Sequence, residues 1–211
     1  MPRRARRLGG SGIYHVMLRG VNGDPIFLDD EDRLRFLGAL AAAKQASGSR
    51  VLAYCLMDNH VHLVLCTGVE PIGTTVKRFG VRYAFWFNRK YRRVGHLFQD
   101  RFKSVPIEDD AHLVVVLRYV WNNPVKAGLV ERADGYRWSS RGSDGLPTVV
   151  DAEELVRLLP TDPLTLLSAS EVPSWEVPRE RGRRPLYSGD EAAALMRDVC
   201  GVDDPASFRR L

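Results

Sequence analysis

The stretch Val51-Leu52-Ala53-Tyr54-Cys55-Leu56-Met57-Asp58-Asn59-His60-Val61-His62-Leu63-Val64-Leu65-Cys66 decides how the rest of the chain is read. Two apolar runs of strand length flank Asp58-Asn59, a pair suited to a tight turn, so the segment predicts a β-hairpin over 51–57 and 60–66. The second strand carries histidines at i and i+2. A pleated strand points such residues to one face, about 7 Å apart along the backbone. Two imidazoles so placed can converge on one divalent cation.

Upstream, Ile13 to Arg19 alternates as a first strand, and Gly20-Val21-Asn22-Gly23-Asp24-Pro25 reads as a turn-rich loop. Asp29 and Asp30 supply an N-cap, with Glu31 and Asp32 in the first turn, for a helix that runs to about Ser47 and stops at Gly48. Downstream, a second helix spans Ile72 to about Tyr91, and Phe102 to Ile107 forms a short fourth strand. Asp109 or Asp110 caps a third helix, which Asn123-Pro124 should terminate because the residue before proline resists helical geometry. The order β-α-β-β-α-β predicts an α+β, ferredoxin-like antiparallel sheet backed by two helices, followed by an added tyrosine-bearing helix and a partly helical tail. That fold hosts many functions, so the side chains must supply the rest.

Three segments are expected: a basic arm over 1–10, one α+β domain over 11–145, and a tail with a linker over 146–211. Tyr136-Arg137-Trp138-Ser139-Ser140 should pack back onto the domain, and 151–159 should form a short amphipathic helix. Residues 168–189, rich in Pro, Arg and Ser, read as a linker. Residues 189–211 read as one or two small helices, and 146–211 as a whole is a candidate auxiliary DNA-binding segment.

No run approaches the ~20 apolar residues that span a bilayer, and no apolar region follows the basic N-terminus as in a secretory signal. The three cysteines lack metal-type spacing, and Cys55 and Cys66 read as reduced core residues. The expected compartment is the cytoplasm, in association with the nucleoid. Net charge is +5 and the cations are clustered: Arg3, Arg4, Arg6 and Arg7 open the chain, and Lys77, Arg78 and Arg82 lead a mid-chain group. Clustered cations imply a polyanionic partner, and nucleic acid is the usual one. Gln99, Arg101 and Lys103 are further candidate phosphate or base contacts. The aromatic residues among the mid-chain cations could stack bases, but most should be core.

On the third helix Tyr119 and Asn123 stand four residues apart, hence on one face. Were that face to lie over the histidine strand, the Asn123 amide oxygen could be a third ligand beside His60 and His62, with the Tyr119 hydroxyl next to the metal. Such a group could cleave a phosphodiester through a phosphotyrosine. Paired histidines on an apolar strand are also common as satisfied core groups, and Asn before Pro as a plain helix stop. His15 reads as packing, with support of the histidine pair as the alternative.

Several segments together resemble the REP-associated tyrosine transposases of the HUH single-tyrosine transposase family. They are Gly12-Ile13-Tyr14-His15-Val16, Arg19-Gly20, Ile26-Phe27-Leu28-Asp29-Asp30, Tyr54 to Leu63, Leu97 to Ser104, and Arg118 to Val130 with Tyr136 and Trp138-Ser139-Ser140 behind it. The resemblance implies Mg²⁺ or Mn²⁺ held by His60, His62 and Asn123, with Tyr119 as nucleophile. It implies single-stranded DNA bearing hairpins as substrate, read through basic surfaces that would include Arg19, and a monomer more readily than a homodimer. The alternative is a domesticated hairpin-binding protein without useful cleavage.

Overall fold

The computed structural model describes residues 9–143, 145–146 and 149–159. Arg3, Arg4, Arg6 and Arg7, the 168–189 linker and the 189–211 segment therefore lie outside the described residues. The elements are β1 (Ile13–Arg19), α1 (Asp30–Ser47), β2 (Arg50–Met57), β3 (His60–Cys66), α2 (Ile72–Lys90), β4 (Lys103–Ile107), α3 (Asp110–Lys126) and α4 (Ala152–Leu158). The sheet order is β2-β3-β1-β4, and each of the three neighbouring pairs is antiparallel. This is the expected ferredoxin-like arrangement.

Side-chain alternation divides the sheet into two faces. Tyr14, Val16 and Leu18 of β1 and Val61, Leu63 and Leu65 of β3 pack under α1 and α2. There Phe27, Phe36, Phe79 and Tyr83 meet at ring distances of 5.2–5.6 Å, which contribute about 0.5–1.5 kcal/mol per pair beyond burial. The mid-chain aromatics at 79, 83 and 87 are thus core, while Phe85 is exposed. The opposite face, with Ile13, Cys55, Met57 and Val64, lies under α3. Cys55 and Cys66 are both free thiols, and burial pushes the Cys55 thiol up.

Local chemistry sets the helix ends. Asp29 accepts from Asp32 N–H while the Asp32 carboxylate accepts back from Asp29 N–H, a reciprocal cap on α1. Asp109 caps α3 by accepting from His112 N–H at 2.7 Å. The expected stop at Asn123-Pro124 is corrected, since α3 continues to Lys126 with Pro124 inside it. Proline there removes one donor from a last turn that is ending anyway, and its ring is buried. The true stop is Gly128, whose φ of +70° suits glycine, with Leu129 N–H bonded to the Pro124 carbonyl.

The segment 136–140 does pack back. It covers the outer edge of β2, where Leu56 N–H donates to the Trp138 carbonyl and Ser140 N–H to the Tyr54 carbonyl, each at 2.9 Å. Trp121 Nε1–H donates to Ser140 Oγ at 2.8 Å, so the same segment pins α3 against the sheet. Arg33 lies between the Phe27 and Trp138 rings and pairs with Asp58, tying the hairpin turn to α1. Among the described residues no helix is long and apolar enough to cross a membrane.

Candidate active site

The register of β1 against β3 places His60 opposite Arg19 and His62 opposite Met17, so both imidazoles share the α3 face with His15, Met17 and Arg19. Met17 in turn pairs with Lys103 across β4, which brings that ammonium side chain to the same face. The helix α3 lies over this surface. The Tyr119 ring stands 5.2 Å from the His62 ring and 5.8 Å from the His15 ring, edge-on to both. His60 and His62 are 5.0 Å apart, centroid to centroid. The Lys126 ammonium lies over the Tyr119 ring, 6.0 Å from its centroid.

Each imidazole has its Nδ1 occupied. His60 Nδ1 meets Asn59 Oδ1 at 2.7 Å, and His62 Nδ1 meets His15 Nε2 at 3.0 Å. The nitrogen remaining on each ring is Nε2. Asn123 gives one N–H to the Tyr119 carbonyl at 2.9 Å, and a hydrogen bond between its side chain and His60 favours that ring's charged form.

Burial keeps all three rings neutral. Desolvation is the first cause in each case, and it holds His62 well below the usual histidine range, with the neighbouring His15 and His60 adding to the effect. His15, wholly buried, is pushed down to about 3 by burial and then by His112. His60 is lowered by burial against the opposing pull of Asn123, with Arg19 lowering it further and Asp58 raising it. Neutral imidazole is the form that ligates metals. Among the described residues no three His, Cys, Asp or Glu side chains are grouped to hold an ion. A metal would therefore rest on two imidazole nitrogens and one amide oxygen, a set with positions left for substrate. The Nε2 atoms of His60 and His62 and the Asn123 amide oxygen fit that role.

The remaining candidates divide between faces. Arg19, Gln99, Arg101 and Lys103 are exposed, Arg19 and Lys103 stand on the histidine face, and Gln99 N–H is bonded to the Arg19 carbonyl at 2.9 Å. Lys77, Arg78 and Arg82 are exposed on α2, across the sheet, and Arg78 is held by both oxygens of Glu70 at 2.8 Å. The structure does not bring them to the tyrosine. Spacing within the sequence gave no sign of Asn59 or Lys126 at the site. His15 stood out only by lying on the same alternation as a strand that proved to be β3's neighbour.

The profile of the family described as "Transposase IS200 like" matches residues 11–123, just over half of the chain and the span that carries every residue of this cluster but Lys126. The chain belongs to the IS200-like transposase family. Two solved structures resemble this IS200-like transposase. One is a REP-associated tyrosine transposase bound to a REP hairpin, 16% identical over 88% of this chain and 99% of its own, with a TM-score of 0.60. It shows that the two share a fold. The other, a putative transposase from Deinococcus radiodurans R1, is 18% identical over 53% of this chain and 91% of its own, with a TM-score of 0.39. No curated protein matches the chain.

Proposed function

We propose that this IS200-like transposase cuts and rejoins single-stranded DNA next to REP-like hairpins through a covalent 5′-phosphotyrosine on Tyr119. The observation that supports this reading most is the 5.2 Å approach of the Tyr119 ring to His62, made within one chain by elements far apart in sequence. His60, His62 and the Asn123 oxygen would hold Mg²⁺ or Mn²⁺. A divalent cation bound there supplies Lewis-acid stabilisation of phosphate charge and of the departing oxygen.

The chain's own groups carry the rest. The Tyr119 oxygen attacks phosphorus as its phenol proton passes to solvent. The new O–P bond replaces the bond to the 3′-oxygen, which leaves and takes up a proton. Because a phosphodiester is exchanged for a phosphotyrosine ester, another 3′-hydroxyl can reverse the step without ATP. Arg19, Gln99, Arg101 and Lys103 would hold the strand entering this face, while Lys77, Arg78 and Arg82 would meet DNA wrapped to the other side. In this reading 11–145 is the catalytic domain, the arm with Arg3, Arg4, Arg6 and Arg7 and the segment 146–211 add DNA contacts, and a monomer holds a complete site. Hairpin recognition is taken from the neighbour of like fold, whose structure contains a REP hairpin.

The test uses oligonucleotides drawn from inverted repeats beside the gene, labelled at the 3′ end, incubated with Mn²⁺ and run on a denaturing gel. Wild type should give a protein–DNA adduct that Tyr119→Phe abolishes, with native-gel binding kept within about twofold. An adduct that survives the substitution refutes the assignment. Binding by wild type with no adduct in Mg²⁺ or Mn²⁺ would favour a hairpin-binding protein instead.

A further inference from the structure

We propose that Asn59 is a positioning residue that fixes the His60 tautomer, and that the loop after β1 in turn fixes Asn59. The inference rests on the metal reading above for its consequence, but its physical content is independent of it. Two hydrogen bonds determine it in sequence. The first is anchored by a group whose polarity is not in question, the Gly23 carbonyl, which accepts from Asn59 Nδ2 at 3.0 Å. Only the NH₂ end of an amide can face a carbonyl oxygen, so the orientation of the Asn59 side chain follows. Its oxygen then lies 2.7 Å from His60 Nδ1. Oxygen accepts and does not donate, so Nδ1 must carry the proton in the neutral ring. Nε2 is thereby left with its lone pair.

The loop is built to hold this relay. Gly20 N–H donates to the Asn59 carbonyl at 2.9 Å, so the loop grips both the main chain and the side chain of Asn59. Gly23 has a φ of +82°, a conformation that glycine adopts at little cost and that turns its carbonyl toward the amide. The residue before it, Asn22, also has a positive φ of 54°. On the loop's other flank, Val21 N–H bonds to the Leu97 carbonyl at 3.1 Å. A loop without cations thus acquires a role: it delivers one oriented carbonyl.

A ring whose proton sits on the far nitrogen presents a lone pair to a metal without any rearrangement, and loss of such outer hydrogen bonds commonly costs about 10–100-fold in metal affinity. The test reads the tautomer directly, in metal-free protein above the histidine titration range, from long-range ¹H–¹⁵N correlation spectra of the imidazoles. Wild type should show His60 protonated at Nδ1. Asn59→Ala should move His60 toward the Nε2–H form and weaken Mn²⁺ binding by calorimetry at least about tenfold. Asn59→Asp, which keeps an acceptor but loses the donor to Gly23, should retain the Nδ1–H signature. The His62 signals, set by His15, should be unchanged in both variants and so report that the fold is intact. A wild-type His60 protonated at Nε2 would overturn the inference, as would an Asn59→Ala spectrum identical to wild type. If wild type binds no Mn²⁺, the metal reading fails while the tautomer result still decides this one.

Discussion

His15→Phe separates the support of His62 from the packing around it. A phenyl ring retains the volume of the imidazole, its stack on His62 at 5.2 Å and its edge contact with Tyr119 at 5.8 Å. What it removes is the nitrogen 3.0 Å from His62 Nδ1. His62 is only 4% exposed, so water cannot replace that partner. Stranding a buried polar group costs about 1–3 kcal/mol. Against this, His15 is itself costly to bury, and a phenyl ring is favourable there. The two contributions oppose each other in folding stability, where the net change should stay under about 1 kcal/mol. They do not oppose each other in metal binding. There the loss of the Nδ1 partner frees the ring to rotate and to change tautomer, and about 1.4–2.8 kcal/mol corresponds to a 10–100-fold weaker Mn²⁺ affinity. Calorimetric titration with Mn²⁺ and thermal denaturation of the same samples give both quantities. Mn²⁺ affinity within twofold of wild type would refute the argument that His15 orients His62.

Further outcomes follow from the two helices on the other face and from the basic rim. Lys90 bridges Asp29 at 2.6 Å, Asp32 at 2.9 Å and Glu31 at 3.0 Å, with Asp32 wholly buried, so Lys90→Met should lower stability by about 2 kcal/mol, read as a drop in the urea midpoint. The Asp29 carboxyl is held down to about 2, chiefly by its hydrogen bond from Lys90. A depressed folded-state pKa means this contribution is complete above the ordinary carboxylate range near ~4 and is lost as pH falls from there toward 2. Acid unfolding curves should show that loss in wild type, and Lys90→Met should flatten it; an unchanged acid limb would remove Lys90 as the cause. For DNA, Arg101→Gln and Lys103→Gln should each weaken hairpin binding and reduce the salt slope by about 0.7, measured by fluorescence anisotropy from 50 to 200 mM salt. A slope unaltered in the double variant would mean that neither residue contacts phosphate.

The hairpin was legible because everything that sets it is local. Two apolar runs, a two-residue turn and a strand period of two leave little freedom, and β3 begins and ends at the residues expected. The α1 cap was readable for the same reason, since Asp29 and Asp32 are three residues apart. The end of α3 was misjudged because the local penalty before Pro124 is small in a final turn and is outweighed by burial of the ring. The meeting of Tyr119 with the histidines could be posed but not settled from spacing, because helical period fixes which residues share a face and not what that face covers. What places α3 is the burial of its Leu113, Val116, Leu117 and Val120 on the sheet together with the Ser140–Trp121 bond, both long-range in sequence. Asn59 was invisible for a related reason. As a turn residue it looked fully explained, and the Gly23 carbonyl that gives it a second task comes from a loop 36 residues earlier.

The fold-back of α3 has a consequence for the stoichiometry of DNA ends. Tyr119 rests over the sheet of its own polypeptide, so a phenol and the imidazole pair travel together in every copy. In the proposed reaction one copy would offer one attachment point, taken for as long as a severed 5′ terminus stayed joined to it. Mobilising a segment with two boundaries would then demand either a pair of molecules acting at once or one molecule that discharges the first terminus before it engages the second.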